Sequence, residues 1–383
     1  DNHYYESTDA FTRHIEPGFE KRCMQWAEIN GRTRLLVGGK INRFIPNPTF
    51  DPVARPGCLD QFFRGNNPEA ADVRTLFGEL DPISPAYRER DARLALMSEQ
   101  GIDKTFMFPT LGVGMEEALR DDLPAQRAAF RAFNRWLDED WGFAYRDRIF
   151  AAPYITLSDV DNAAAELEWA IARDCRVVCM VAGPVVTDTG MRSPADPVFD
   201  PFWARMNEAG IALAYHGGDY GYGRYMEDWG EDGGLESFKG SPLKTVMLGN
   251  RAPYDTMAAL ICHGLFRRFP NLRVASVEQG SNWVPWLLQS LRRVYGQDPT
   301  SFGEDPIETF KRHIWVSPFH EDDVPLLRDL VGADRMLMGS DYPHAEGLAV
   351  PTDYVNELEG FSQQDVQRIM RDNALELSRR RAA

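Results

Sequence analysis

The feature that most constrains this fold is a grammar repeated along the chain: a helical stretch, a stop, then a short run that is apolar on both faces. It is first clear where Tyr87 to Gln100 reads as a helix stopped by Gly101, with Asp103 to Phe108 following as a strand. Further helices are expected from Pro124 to Trp141, Asp159 to Arg173, Phe199 to Ala209, Tyr254 to Phe269, Trp283 to Tyr295 and Asp323 to Leu330. The strands that follow them are expected at Ile149 to Ile155, Arg176 to Val181, Ile211 to Tyr215, Arg273 to Val277, His313 to Val316 and Arg335 to Met338. Runs of this kind are what parallel strands covered by helices require, because both faces of such a sheet are buried.

Closing a barrel takes an eighth strand, and the place left for it is the extreme N-terminus at Asp1-Asn2-His3. The expectation is therefore an α/β chain folded as a (β/α)8 TIM barrel, its first strand cut short by a start at Asp1 rather than Met. An open doubly wound sheet is the weaker reading, since no Gly-rich dinucleotide-type turn follows any strand. Residues 1–383 are read as one domain with two long insertions, 7–86 after strand one and 217–250 after strand five. The first contains a hairpin pattern (Arg34 to Val37, Gly38-Gly39, Lys40 to Ile45) and an extended Pro-rich stretch from Pro46 to Pro56. Insertions of this length serve as lids or oligomer contacts.

Composition narrows the partners. With 42 Lys and Arg against 58 Asp and Glu, the net charge of −16 repels phosphate backbones and anionic lipid headgroups. Neither nucleic acid nor a membrane is expected as a partner. The run from Val177 to Val186, broken by Gly183 and Pro184, falls far short of the roughly 20 apolar residues of a spanning helix. Five scattered cysteines argue against a disulfide framework or a thiolate zinc site. The expectation is a cytoplasmic enzyme with a small-molecule substrate, assembled as a homodimer or larger homo-oligomer through the aromatics of its insertions.

In a barrel of this type the catalytic groups lie where strands end. The polar residues there are Asp1, His3 and Glu6 after strand one, His216 after strand five, Glu278 after strand six, Ser317 and His320 after strand seven, and Ser340, Asp341 and His344 after strand eight. Asp1, His3, His216 and Asp341 are read as holding one divalent metal ion, with Glu6 as an extra oxygen donor. Imidazole and carboxylate donors suit zinc, manganese or iron, and a metal in an open site lowers the pKa of its bound water to about 7. Each residue alone has a plainer reading as a helix cap or a carbonyl partner; four converging on one mouth favour a site. His344 is read as a catalytic or substrate contact, or as support for Asp341. Arg192 and Arg224 are candidates to bind a substrate carboxylate bidentately, with a surface salt bridge as the more ordinary role of each; Tyr220 is read as part of an aromatic lid or an inter-subunit contact, and His320 as a rim residue. His14 is placed over the mouth, whereas His263 and His313 read as structural.

His216 together with Gly339-Ser340-Asp341-Tyr342-Pro343-His344, and the following Glu346-Gly347, resembles the amidohydrolase superfamily. The similarity is to the amidohydrolase-related branch that includes aminocarboxymuconate-semialdehyde decarboxylase, and the stretch from Phe266 to Val274 has the same character. The resemblance implies a metal-dependent barrel enzyme with His216 as the strand-five ligand and Asp341 as the strand-eight ligand or proton shuttle. Two positions depart from that branch. It usually carries His-x-His or Glu-x-His after strand one, where this chain has Asp1-x-His3, and its decarboxylases place a His where this chain has Glu278. The leading expectation is accordingly a metal-dependent hydrolase acting on a small carboxylated or aromatic substrate through metal-activated water. In it Asp341 moves the proton and Glu278 is a second acid or base or a late ligand. The alternatives are a non-oxidative decarboxylase or hydratase using the same metal site, and a catalytically silent binding barrel.

Overall fold

The computed structural model describes residues 1–381; Ala382 and Ala383, the last two of the expected 1–383 span, lie outside the described residues. Strand β1 (Asn2–Tyr4) is followed by an antiparallel sheet of β2 (Met24–Ile29), β3 (Arg32–Val37) and β4 (Lys40–Ile41). Gly38 and Gly39 form the β3–β4 turn at φ 57° and 73°, a left-handed conformation that glycine adopts without steric cost. β2 was not anticipated, because Met24 is its one buried residue and its apolar pattern is correspondingly weak.

The remaining strands are β5 (Thr105–Pro109), β6 (Ile149–Ala151), β7 (Val177–Val181), a small hairpin of β8 (Val185–Thr187) and β9 (Gly190–Arg192), then β10 (Ala212–His216), β11 (Arg273–Val277) and β12 (Ile314–Val316). β1, β5 and β6 make one parallel sheet, and β7, β10, β11 and β12 another. Isolated parallel bridges extend the pairing, joining Tyr154 to Cys179, Val316 to Met336 and Asn2 to Tyr342. Every residue of β10 and β11 is buried, as the two-sided apolar runs require.

Helices cover the strands through apolar stripes. In the helix Leu123–Asp140, Phe130, Phe133, Trp136 and Leu137 face inward; in Trp283–Gln297, Trp283, Leu287 and Leu291 do so at four-residue spacing. Each such large apolar side chain contributes about 1.5–3 kcal/mol on burial. The side chains of Asp122, Asp159 and Asp323 accept from the amides of Ala125, Asn162 and Leu326, which sets where three of the helices start.

Three expected elements are corrected. The Tyr254–Phe269 helix is two helices, Arg251–Cys262 and Leu265–Arg268, because Gly264 breaks it at φ 68°. His313 ends the helix Pro306–His313 instead of opening a strand. The Arg335–Met338 strand is a 3-10 turn at Ala333–Arg335 followed by the single bridge at Met336. Beyond it, side chains stand in for ladder bonds: Asn2 Nδ2 donates to Ser340 Oγ (3.0 Å), and Ser340 Oγ donates to the Asp1 carbonyl (2.9 Å). Among the described residues, no helix is long and apolar enough to cross a membrane.

Candidate metal centre

The side chains that converge come from the ends of separate strands. His3 lies on β1, with its amide donating to the Tyr342 carbonyl (2.7 Å) and its own carbonyl accepting from the buried Arg93 guanidinium. His216 closes β10, Glu278 follows β11, and Asp341 sits on the segment that pairs with β1. Glu278 and Asp341 have φ 51° and 53°, a left-handed conformation costing a non-glycine residue roughly 1–2 kcal/mol. Such backbone persists where surrounding contacts over-determine it. Gly217 is one of those contacts, for a Cβ there would collide with the Glu278 carbonyl oxygen.

Around this point the donor atoms crowd together without bonding one another. His3 Nε2 is 3.1 Å from Glu278 Oε2, 3.2 Å from Asp341 Oδ1 and 3.5 Å from Asp1 Oδ1, and His216 Nε2 is 3.1 Å from Glu278 Oε2. All five of these atoms are buried and lack a directed hydrogen bond. Donor atoms of His3, Glu278, Asp341 and His344 lie within 4.8 Å of one another, as do those of Asp1, His3 and His216. Leaving buried polar atoms unsatisfied costs about 1–3 kcal/mol each, and a divalent cation bound by mixed nitrogen and oxygen donors would satisfy them together. The residues therefore fit the ion.

The surroundings prepare these donors. His216 Nδ1 donates to the Gly217 carbonyl (2.8 Å), which leaves the Nε2 lone pair facing the centre, and burial lowers its pKa to about 4. Burial also disfavours the charged form of His3, but the carboxylates of Asp341 and Glu278 beside it outweigh that and raise the pKa to about 9. Burial alone would raise the pKa of Asp341. The charge of His344, with its Nδ1 2.6 Å from Asp341 Oδ1, and the nearby His3 imidazole instead hold it well below the usual carboxylate range. His344 Nε2 in turn meets Thr110 Oγ1 (2.9 Å), whose own proton goes to the Tyr4 carbonyl (2.8 Å). His344 thus serves as donor at Nε2, and its pKa is raised because the pull of Asp341 exceeds the cost of burial.

A cavity of about 180 Å3 opens onto this cluster. Asp1, Glu278 and Asp341 line it, as do Phe63, Phe319 and His320. Phe63 belongs to the 7–86 insertion, which is tied down where the amides of Gly57 and Leu59 donate to the carbonyls of His344 (3.1 Å) and Ala345 (2.8 Å). Asp60 in the same segment has Oδ1 2.6 Å from His320 Nε2.

The structure thus brings Asp1, His3, His216, Glu278, Asp341 and His344 to one centre, with His320 lining the adjoining cavity. It does not bring the other expected residues there. Glu6 is corrected: its carboxylate accepts from the amides of Leu111 (3.0 Å) and Gly112 (2.9 Å), so its oxygens are spent on backbone. Arg192 pairs with Asp196 (3.1 Å) and Arg224 with Glu117; neither lines the cavity. The Tyr220 hydroxyl accepts from Gln279 (3.3 Å) instead of facing the cavity, and His14 pairs with Glu139 (2.8 Å). Residues that sequence reasoning did not assign are Asp60, Phe63, Thr110, Glu321 and Glu346. Only Glu346 carried a signal, its place just after the Gly339-to-His344 segment; burial, with the charge of Asp341, raises its pKa to about 7.

Comparison with known proteins bears on this geometry. The family model described as amidohydrolase matches residues 83–380. A curated relative, 2-amino-3-carboxymuconate-6-semialdehyde decarboxylase of Dictyostelium discoideum, is 25% identical over 187 residues, covering 47% of this chain and 48% of that protein. The chain therefore spans about half the length of that relative. Among solved structures, an amidohydrolase from Mycobacterium avium subsp. paratuberculosis K-10 is 44% identical with a TM-score of 0.94, over 99% of this chain and 96% of that one. A dihydroxybenzoic acid decarboxylase from Polaromonas sp. JS666, solved with manganese and the inhibitor 2-nitroresorcinol, shares the fold at 18% identity and a TM-score of 0.60, over 84% of this chain and 93% of that one. The matched span contains His216, Glu278 and Asp341 with the strands that deliver them, and on that extent the chain belongs to the amidohydrolase family.

Proposed function

We propose that this chain is a metal-dependent carboxy-lyase that removes the carboxylate of a small, flat substrate as carbon dioxide, built as a single (β/α)8 barrel with insertions 7–86 and 217–250. The observation that carries the reading is the set of buried, unpartnered donor atoms on Asp1, His3, His216, Glu278 and Asp341, of which Asp1, Glu278 and Asp341 line the cavity. The relatives from Dictyostelium and Polaromonas, both decarboxylases, move this reaction ahead of the hydrolase expected first. The bridges at Tyr154, Met336 and Tyr342 support a closed ring of parallel strands. Exposed Trp229 and Trp286 support a homodimer or larger assembly.

Asp1, His3, His216 and Asp341, with Glu278, would hold a divalent cation, which when bound supplies positive charge to the oxygen atoms of a substrate. Phe63 and Phe319 hold a flat ring and keep water off it. His344 delivers a proton to Asp341, and Asp341 passes it to the carbon bearing the carboxylate. As the C–H bond forms and the C–C bond breaks, the electron pair of the broken bond returns to the ring. The balance is R–CO2− plus H+ giving R–H plus CO2. Hydrolysis in the same pocket is the second reading, favoured by Glu278, a carboxylate positioned to take a proton from water.

The test is carbon dioxide release from a panel of hydroxybenzoates by the manganese-loaded protein. Release that disappears with the metal is the expected result. Turnover of esters or amides without carbon dioxide would put hydrolysis first, and no metal uptake with no turnover would leave the binding barrel.

A further inference from the structure

The cavity walls constrain the substrate beyond the reacting carboxylate. Among the described residues no lysine or arginine lines the cavity, whereas Glu321 and Glu346 do, in addition to the carboxylates of the metal centre. The arginines expected to meet a substrate anion are paired elsewhere with Asp196 and Glu117. One basic side chain remains on the wall, His320, which is 5% exposed. It is already matched: Nε2 lies 2.6 Å from Asp60 Oδ1, and Nδ1 lies 3.5 Å from Glu321 Oε2. Asp60 is fixed in turn by Arg64 Nε (2.9 Å), and Arg64 by Glu357 (2.7 Å), so the imidazole is oriented by the insertion and has no charge to spare.

The metal centre offers no surplus either. Asp1, Glu278 and Asp341 contribute three carboxylates, more negative charge than one divalent cation neutralises. Glu321 lines the cavity, and its buried Oε2, 3.5 Å from His320 Nδ1, accepts no directed hydrogen bond.

We infer that the substrate carries a single carboxylate, the one at the metal centre, and that its far half presents hydrogen-bond donors such as hydroxyl or amino groups to Glu321 and Glu346. The inference rests on the carboxy-lyase reading for the placement of that carboxylate. A second anionic group would face these glutamates in a partly dry cavity, where like-charge repulsion is weakly screened and discriminates strongly.

The test is calorimetric titration of the full chain, loaded with manganese, using 4-amino-2-hydroxybenzoate and 2-hydroxybenzene-1,4-dicarboxylate as probes. The amino compound is expected to bind about tenfold tighter or better. In Glu321→Gln, and separately in Glu346→Gln should the first fail to fold, that ratio is expected to shrink, which a merely structural role for either residue would not produce. Equal binding of the two probes, tighter binding of the dicarboxylate, or a ratio unchanged in both variants overturns the inference. If both probes bind equally and both release carbon dioxide, the inference fails while the carboxy-lyase reading stands. If neither binds the loaded protein, both fall.

Discussion

Strand β11 has a buried charge at each end, and the two are handled in opposite ways. At its start, Arg273 is 1% exposed, with Nη1 donating to the Glu376 carbonyl (2.7 Å) and Nη2 to the carbonyls of Arg379 (2.7 Å) and Gly210. Burial lowers its pKa only to about 10, so it stays charged and staples the C-terminal segment to the base of the sheet. Just past its other end, Glu278 Oε2 is buried beside two imidazole nitrogens and bonds to neither. A buried charge whose terminal nitrogens are met by carbonyls, as those of Arg273 are although its Nε is not, is a structural tie. One left open beside other open donors is the start of a site, because the protein bears its desolvation without a compensating bond.

The sharpest way to break this contrast is at the open end. His216→Ala and Asp341→Asn are each expected to lower kcat by about a thousandfold or more and to strip bound metal while far-UV circular dichroism stays unchanged. A variant with near-normal rate would take that residue out of the mechanism. At the satisfied end the expectation inverts. Arg273→Ala should cost about 3 kcal/mol in denaturant unfolding, through the loss of three charge-assisted hydrogen bonds to carbonyls, while metal content per folded molecule is preserved.

Titration separates the two ends next. The pKa of His3 is raised to about 9, so its contribution to the stability of the metal-free fold is complete below about pH 6.5 and is lost as pH rises through 9. His216, lowered to about 4, acts in the opposite sense, costing stability as pH falls from about 6.5 towards 4. Manganese binding near pH 7 should therefore release about one proton, from His3, measured by calorimetry in buffers of different ionisation enthalpy. Zero release would show that His3 is already neutral. Smaller again, Thr110→Val removes the anchor of His344 and should reduce kcat about tenfold. The smallest effects belong to Arg192→Ala and Arg224→Ala, whose partly exposed ion pairs lie away from the cavity; kcat/KM should stay within about twofold.

Legibility followed the same division. His216 and Glu278 could be read off because a strand apolar on both faces stops there, Asp341 because it follows the expected Arg335 to Met338 run, and His3 because closing a barrel needs an eighth strand at the N-terminus. Glu6 misled for the same reason: it too follows a strand end, and nothing local reveals that the amides of Leu111 and Gly112, over a hundred positions away, take its oxygens. Arg192 and Arg224 look available in sequence because their partners Asp196 and Glu117 are ordinary acidic residues until the chain folds.

What the sequence determined by itself is the alternation of helix and buried strand and the residue types at the strand ends, since both follow from local periodicity and from where apolar runs stop. Tertiary structure alone decided which of those polar groups find partners. It turned Glu278 and Asp341 through left-handed backbone and brought Asp60 and Phe63 from the insertion against the cavity. The physical reason is that desolvation and hydrogen-bond satisfaction depend on every atom around a group, most of them distant in the chain, whereas periodicity depends only on neighbours.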